Sequence, residues 1–270
     1  MPQPGLPKLI ATDLDGTLVR SDDTVSAYTH EVLDRVRAAG IRIVGATGRG
    51  PRLAELTRND IRAADFLVLA QGGWVIDQAD PVPLRSERLS GGVLARVLAD
   101  LEAEVGALSV MVEALEYPDA PLWGDLDPTW RYPVVVQERP RAACVAGDVI
   151  KAFARSVHRD VDDLLAAAQR IVPAAVASVT QAGLNYVEIC PPNVDKGTGL
   201  AVVAEAVGVD PADVLVFGDM PNDLPMFAWA GWSRVAVANA HPSVLAVADE
   251  VTPANDDDGV AVYLDRLLSR

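Results

Sequence analysis

The opening run "LIAT" (residues 9–12) is short and unbroken in its apolar character, as expected of a strand buried on both faces. After it, "VSAYTHEVLDRVRAAG" carries apolar residues at helical spacing and stops at Gly40, and "IRIVGA" reads as a second strand. A helix in "PRLAELTRNDI" and a strand in "DFLVLA" continue the alternation. The same rhythm returns late in the chain. There "GTGLAVVAEAVGV" predicts a helix, "DVLVFGD" a strand, "NDLPMFAWA" a short helix, "SRVAVANA" a strand and "HPSVLAVAD" a helix. Strands alternating with helices predict an α/β fold with a mainly parallel sheet covered on both faces.

Between the halves the texture changes. Helical patterns in "GGVLARVLADLEAEVG" and "VDDLLAAAQRIVP" mix with β-rich pieces, "RYPVVVQE" and "AAVASVTQAGLNYVEIC", and with the irregular "EYPDAPLWGDLDPTW". This predicts an inserted α+β domain over residues 84–190, with residues 1–83 and 191–270 forming the α/β core. The proline-containing joints "DPVPL" and "CPPNV" are the expected hinges.

A length of 270 residues and a hydrophobic content of 50% agree with two domains. The net charge of −15 argues against nucleic acid and anionic membranes as partners, since both require a basic footprint. Two distant cysteines, Cys144 and Cys190, make neither a zinc motif nor a disulfide framework, although one bridge stays open. That usage suits a reducing cytoplasm. The lead "MPQPGLPK" lacks the features of a signal peptide and reads as a frayed tail, and no later run reaches the ~18 apolar residues of a membrane span.

The chemistry concentrates at predicted strand ends. Asp13 and Asp15 follow the first strand, at the carboxyl edge where open parallel sheets bind ligands. A DxDG stretch alone reads equally as a strand-to-loop turn in which an aspartate caps a backbone N–H and Gly16 supplies an unusual conformation. A calcium loop fails on register: glycine belongs at position six and glutamate at position twelve, where this chain has Gly16 at four and Thr24 at twelve. "VLVFGDMPNDLPM" repeats the arrangement, with Asp219 after a strand and Asn222 and Asp223 opening a helix. Several carboxylates brought together repel, and a hard divalent cation offsets that cost. Mg²⁺ fits, because it uses few carboxylates and binds phosphate as well. Taken alone, Asp223 also has a lesser reading as a favourable charge at a helix N-terminus. Thr47 and Gly48 end "IRIVGATG" ahead of a helix start, a turn able to hold a phosphate oxygen or simply to cap that helix. Lys196 precedes a further helix start; in isolation it reads as a surface charge, and beside the carboxylates it becomes their cation.

Together "DLDGTL", Thr47, Lys196 and "GDMPND" resemble the four ordered motifs of the haloacid dehalogenase (HAD) superfamily. "ATGR", "PPNVDKGTGL", "VANAHPSV" and "NDDDGVA" are similar to segments of its Cof-like branch. "QGGW" (71–74) departs from the family's usual Asn-Gly-Ala, which weakens any assignment of Gln71 to substrate. The resemblance implies a three-layer Rossmann-like core with an inserted α+β cap, and a Mg²⁺-dependent phosphatase acting on small phosphomonoesters, sugar phosphates above all. It implies Asp13 as the nucleophile, because a carboxylate needs no activating base. Asp15 is then the general acid and base, with its backbone carbonyl on the metal. Asp13, Asp15 and Asp219 are implied as Mg²⁺ ligands with Asp223 in the inner or outer shell. Thr47, Gly48, Lys196, Asn222 and the Leu14 backbone are implied as holding the phosphoryl oxygens. Mg²⁺, Lys196 and Arg49 would make the pocket locally positive within an acidic protein.

His30, His158 and His241 read as surface or capping residues rather than catalytic ones. Trp123 and Trp130 read as sugar-pocket lining or as packing, and specificity is expected around residues 123–131, with Arg155 and Asn185 as further candidates. The alternatives are a phosphomutase, in which another acceptor takes the phosphoryl group from Asp13, and a non-catalytic Mg²⁺- or phosphate-binding regulator. A monomer and a homodimer are both compatible with the sequence.

Overall fold

In the computed structural model the first apolar run forms the strand Leu9–Thr12, every residue of which is buried. Residues 5–126, 130, 135–181 and 185–269 are described. The N-terminal "MPQP", residues 127–129, the first half of "RYPVVVQE" with Arg131, and residues 182–184 lie outside them. The central sheet runs in the order Glu250–Thr252, Ser233–Val237, Val214–Gly218, Leu9–Thr12, Arg42–Ala46, Phe66–Leu69, Trp74–Asp77, Arg85–Ser86. Its first six strands are parallel, and Phe66–Leu69 pairs antiparallel with Trp74–Asp77. The α/β reading therefore holds. Thr12 stands opposite Phe217 on one side and Gly45 on the other, so the residues that follow these strands emerge at one carboxyl edge.

The helix Ala27–Ala38 begins at Ser26, whose hydroxyl accepts from Thr29 N–H at 3.0 Å, and it buries Val32, Leu33 and Val36. It packs with the C-terminal helix Gly259–Leu268, while Lys196–Val207 packs with Leu224–Trp229. "HPSVLAVAD" departs from expectation. Only Pro242–Leu245 is helical there, and a strand, Glu250–Thr252, and the helix Gly259–Leu268 follow. The proline fixes the helix start at His241, and the four-residue helix ends before Val247 and Asp249.

The chain divides into two compact units, one of Met1–Thr47, Glu55–Arg85 and Asp195–Arg270, the other of Gly48–Ala54 and Ser86–Val194. The second is built on a sheet in the order Ser178–Gln181, Val187–Cys190, Lys151–Ser156, Leu108–Glu113, Leu122–Gly124, Val136–Glu138. Helices Gly91–Val105 and Val161–Ile171 contribute Leu94, Leu98, Leu101 and Leu164 to a core with Val110, Val112, Ala152, Ala154, Val187 and Ile189 of the sheet. The alternate residues Met111, Phe153 and Tyr186 face the other way and form a separate cluster with Leu122 and Trp130. Both cysteines are free and buried. No helix among the described residues is long and apolar enough to cross a membrane.

Candidate active site

Asp13 leaves the first strand with its N–H donating to the Phe217 carbonyl at 3.0 Å, which fixes its direction at the carboxyl edge. The chain then turns tightly: the Leu14 carbonyl accepts from Thr17, Leu18 and Val19 N–H at 3.1, 2.9 and 2.8 Å. Gly16 is required within this turn, because its φ is +88° and a Cβ would stand 2.5 Å from Asp219 Oδ2. Thr17 Oγ1 donates to Asp219 Oδ1 at 3.0 Å. Two distant side chains brace the loop: Asn239 Nδ2 donates to the Gly16 carbonyl and Asn255 Nδ2 to that of Val19, at 2.8 and 2.9 Å. These asparagines belong to the "VANAHPSV" and "NDDDGVA" segments, so both segments serve the aspartate loop.

Lys196 is fully buried at the first position of its helix. A cation there opposes the helix dipole. The cost is offset by Asp13 Oδ1 at 2.5 Å and Asp223 Oδ1 at 2.6 Å. The helix start is fixed by a reciprocal cap in which Asp195 accepts from Thr198 N–H and Thr198 Oγ1 from Asp195 N–H, at 2.7 and 3.1 Å. Asp223, fully buried, accepts Asp219 N–H and Met220 N–H on Oδ2 at 2.9 and 3.0 Å. Both of its oxygens are thus engaged by protein donors. Carboxylate oxygens of Asp13, Asp219 and Asp223 lie within 4.8 Å of one another, and the Asp15 carboxylate is not part of that group.

The electrostatics follow from three buried carboxylates sharing one ammonium. Burial acts against the charged form of Lys196, but the charges and hydrogen bonds of Asp13 and Asp223 outweigh it and hold its pKa above the usual lysine range. Burial raises Asp13 to about 6, against the pull of Lys196 and with the repulsion of Asp223 and Asp15. Burial and then the charges of Asp13 and Asp223 raise Asp219 further, to about 9. The cluster therefore favours an added cation. Its donors are hard oxygens, and three negative charges against one positive leave room for a divalent ion, a donor set that fits Mg²⁺.

Thr47 directly follows the strand Arg42–Ala46, with its N–H donating to the Val68 carbonyl at 2.8 Å, while its own carbonyl accepts from Gln71 N–H at 3.2 Å. Asn222 donates through Nδ2 to Gln71 Oε1 at 3.2 Å, which leaves the second N–H of that amide for another acceptor. The departure of "QGGW" from the family pattern weakens an assignment of Gln71 to substrate; in the structure Gln71 joins Thr47 to Asn222. It is buried, and it occupies the left-handed region at φ 59° beside Ala70 at φ 49°. Strained backbone of this kind collects at working sites. The signal available in the sequence was the Gln-Gly-Gly turn directly after a buried strand. Gly48 and Arg49 belong to the second unit.

Of the histidines, His30 is half-buried on its helix, His158 is exposed, and His241 caps Pro242–Leu245 through Nδ1 while its N–H donates to the Asp219 carbonyl at 2.7 Å. Trp130 stacks edge-on against Phe153 and Tyr186, with centroids 4.9 and 5.7 Å away, and Arg139 lies 4.0 Å over Trp123. Arg155 lies 5.6 Å over Tyr186, and Asn185 is exposed at φ 61°.

The chain is 28% identical to the 5-amino-6-(5-phospho-D-ribitylamino)uracil phosphatase YwtE of Bacillus subtilis, over 97% of this chain and 98% of that protein. It is 29% identical to a phosphoglycolate phosphatase of Archaeoglobus fulgidus, over 96% of each. Among solved structures, a haloacid dehalogenase-like hydrolase from Bacteroides thetaiotaomicron superposes with a TM-score of 0.76 at 28% identity, covering 97% of this chain and 99% of that one. The profile of the haloacid dehalogenase-like hydrolases matches residues 10–264, in agreement with the motif order and the strand-end acids, and the chain belongs to that family.

Proposed function

We propose that this chain is a Mg²⁺-dependent phosphatase that hydrolyses small phosphomonoesters, sugar phosphates foremost, through an aspartyl-phosphate on Asp13. The observation that carries this reading is the buried ammonium of Lys196 held on Asp13 and Asp223, with Asp219 completing the acidic group. The phosphatase names of the two relatives agree with it.

In this mechanism a carboxylate oxygen of Asp13 attacks phosphorus, the bond from phosphorus to the ester oxygen breaks, and the Asp15 carboxyl gives its proton to the departing alkoxide. Asp15, now a carboxylate, takes a proton from water as that water attacks the aspartyl-phosphate, which releases inorganic phosphate and restores Asp13. Lys196 orients Asp13 and, with Thr47, Gly48, Asn222 and the Leu14 backbone, stabilises the equatorial phosphoryl oxygens, where charge stabilisation does most of the work. Asp13, Asp219 and the Asp15 main chain would hold Mg²⁺, which supplies Lewis acidity when bound. Asp223, with both oxygens occupied by protein donors, is assigned to orienting Lys196 and the Asp219 loop rather than to direct ligation. Residues 84–190 are assigned to selecting the leaving group.

The test is phosphate release from a panel of sugar phosphates, phosphoglycolate and flavin-precursor phosphates, with and without Mg²⁺, for the native chain and Asp13→Asn. Mg²⁺-dependent release that falls by about a thousandfold or more in the variant, the scale expected for losing a covalent catalyst, supports the reading. Equal release by both proteins refutes it.

A further inference from the structure

The second unit contains a group of buried charges that the proposed chemistry does not use. Lys151, Glu113 and Glu188 are each at least 98% buried. They arise from strand register: Lys151 stands opposite Glu113, and Glu188 opposite Phe153, two residues further along the Lys151 strand. Alternation puts all three on the sheet face away from the helix-covered core. Charges are rarely buried this completely unless paired, and the pairing here is specific. Lys151 Nζ sits 3.0 Å from Glu188 Oε1 and 4.4 Å from the centre of the Phe153 ring, and it donates to the Gly48 carbonyl. Glu113 covers the α-carbon of Gly50, where a Cβ would meet both carboxylate oxygens at 2.1 Å. Glu113 also accepts the Arg52 N–H at 3.4 Å and faces Arg52 Nε at 3.5 Å. The segment so gripped, Gly48–Arg52, is the continuation of Thr47.

We propose that Lys151, oriented by Glu188, and Glu113 are positioning residues for the phosphate-binding turn. They fix the Gly48 peptide and the segment after it, so that the turn meets the phosphoryl group already ordered. The assignment rests on the phosphate-binding role given above to Thr47 and Gly48. A preformed turn binds phosphate without the entropy cost of ordering it, so loosening its anchor weakens phosphate binding while leaving Asp13 and Asp219 in place.

The experiment is calorimetric titration of inorganic phosphate into the full chain with Mg²⁺, alongside steady-state hydrolysis of p-nitrophenyl phosphate. Lys151→Met combined with Glu188→Gln removes the anchor without leaving a carboxylate buried alone. The expected result is phosphate affinity about tenfold weaker, equivalent to about 1.4 kcal/mol, with KM raised by a similar factor and kcat changed less. Lys151→Arg, which keeps a donor, should recover most of the affinity. Should the double variant fail to fold, Glu188→Gln alone should give a severalfold loss. Native phosphate affinity in a folded double variant, or in folded Glu188→Gln, overturns the proposal, as does a lowered melting temperature with affinity unchanged. A native chain that binds phosphate but hydrolyses no ester refutes the phosphatase reading and leaves the positioning role to be decided by the same titration. A native chain that binds no phosphate overturns both.

Discussion

Replacing Lys196 by Met isolates the charge balance of the site. The ammonium holds Asp13 at 2.5 Å and Asp223 at 2.6 Å from within the fold, and the substitution keeps the aliphatic stem while removing the charge. Three carboxylates would then lie within 4.8 Å of one another with no cation of the protein beside them. At an effective dielectric constant of about 20, two unit charges at that separation repel by roughly 3 kcal/mol. Breaking a buried ion pair from one side costs about 3–5 kcal/mol. These agree, and they translate into a fall in melting temperature on the order of 10 °C for a protein of this size. Two treatments should relieve the loss: protonating the carboxylates, or supplying a divalent cation. The assay is thermal unfolding by circular dichroism in EDTA and in Mg²⁺, at pH 6 and pH 8. The deficit should be largest in EDTA at pH 8 and smaller at pH 6 or with Mg²⁺. A variant that loses less than about 1 kcal/mol in EDTA at pH 8, or whose loss neither acid nor Mg²⁺ reduces, would refute the reasoning.

Two further outcomes follow from the same geometry. Asp219 is raised from its ordinary 3.8 to about 9, so between those values the native chain binds more protons than the unfolded one. Its contribution to stability is complete below pH 3.8 and is lost as pH rises through 9; without metal, the unfolding free energy should fall from pH 6 to pH 9 by at most about 1.4 kcal/mol per pH unit for this one group, and the melting temperature with it. Saturating Mg²⁺ should flatten that slope, and a metal-free chain that grows more stable over the same range contradicts the assignment. Gly16→Ala forces a side chain into φ +88° with its Cβ 2.5 Å from Asp219 Oδ2, so it should destabilise the chain by about 1–3 kcal/mol and displace the Asp219 carboxylate. Calorimetry should show Mg²⁺ binding at least tenfold weaker, and native affinity would mean that Asp219 does not bind the metal.

What was legible in the sequence divides by the range of the interactions that fix it. Asp13, Asp219 and Thr47 were readable because each lies directly after an apolar run, and parallel strands necessarily bring their carboxyl ends to one edge. Lys196 needed more than its own neighbourhood: only the acids of two other strand ends turn a lysine at a helix start from a surface charge into a buried one. The departure of "QGGW" from the family pattern weakens an assignment of Gln71 to substrate, whereas its position after the strand Phe66–Leu69 determines that its backbone meets Thr47 and its side chain meets Asn222. The charges of the second unit were the least legible. Glu113 ends "LSVMVE" and Lys151 begins "KAFARS", and a charge at a strand end ordinarily marks the edge of burial. They are buried because each strand places a charge opposite or diagonal to its complement, and because Gly50, which has no side chain, admits a carboxylate against its α-carbon. Both conditions depend on pairing between residues about forty to sixty positions apart, to which local periodicity is blind. A substitution at Gly50, where a Cβ would meet both Glu113 carboxylate oxygens at 2.1 Å, should therefore disturb the strand that ends at Glu113.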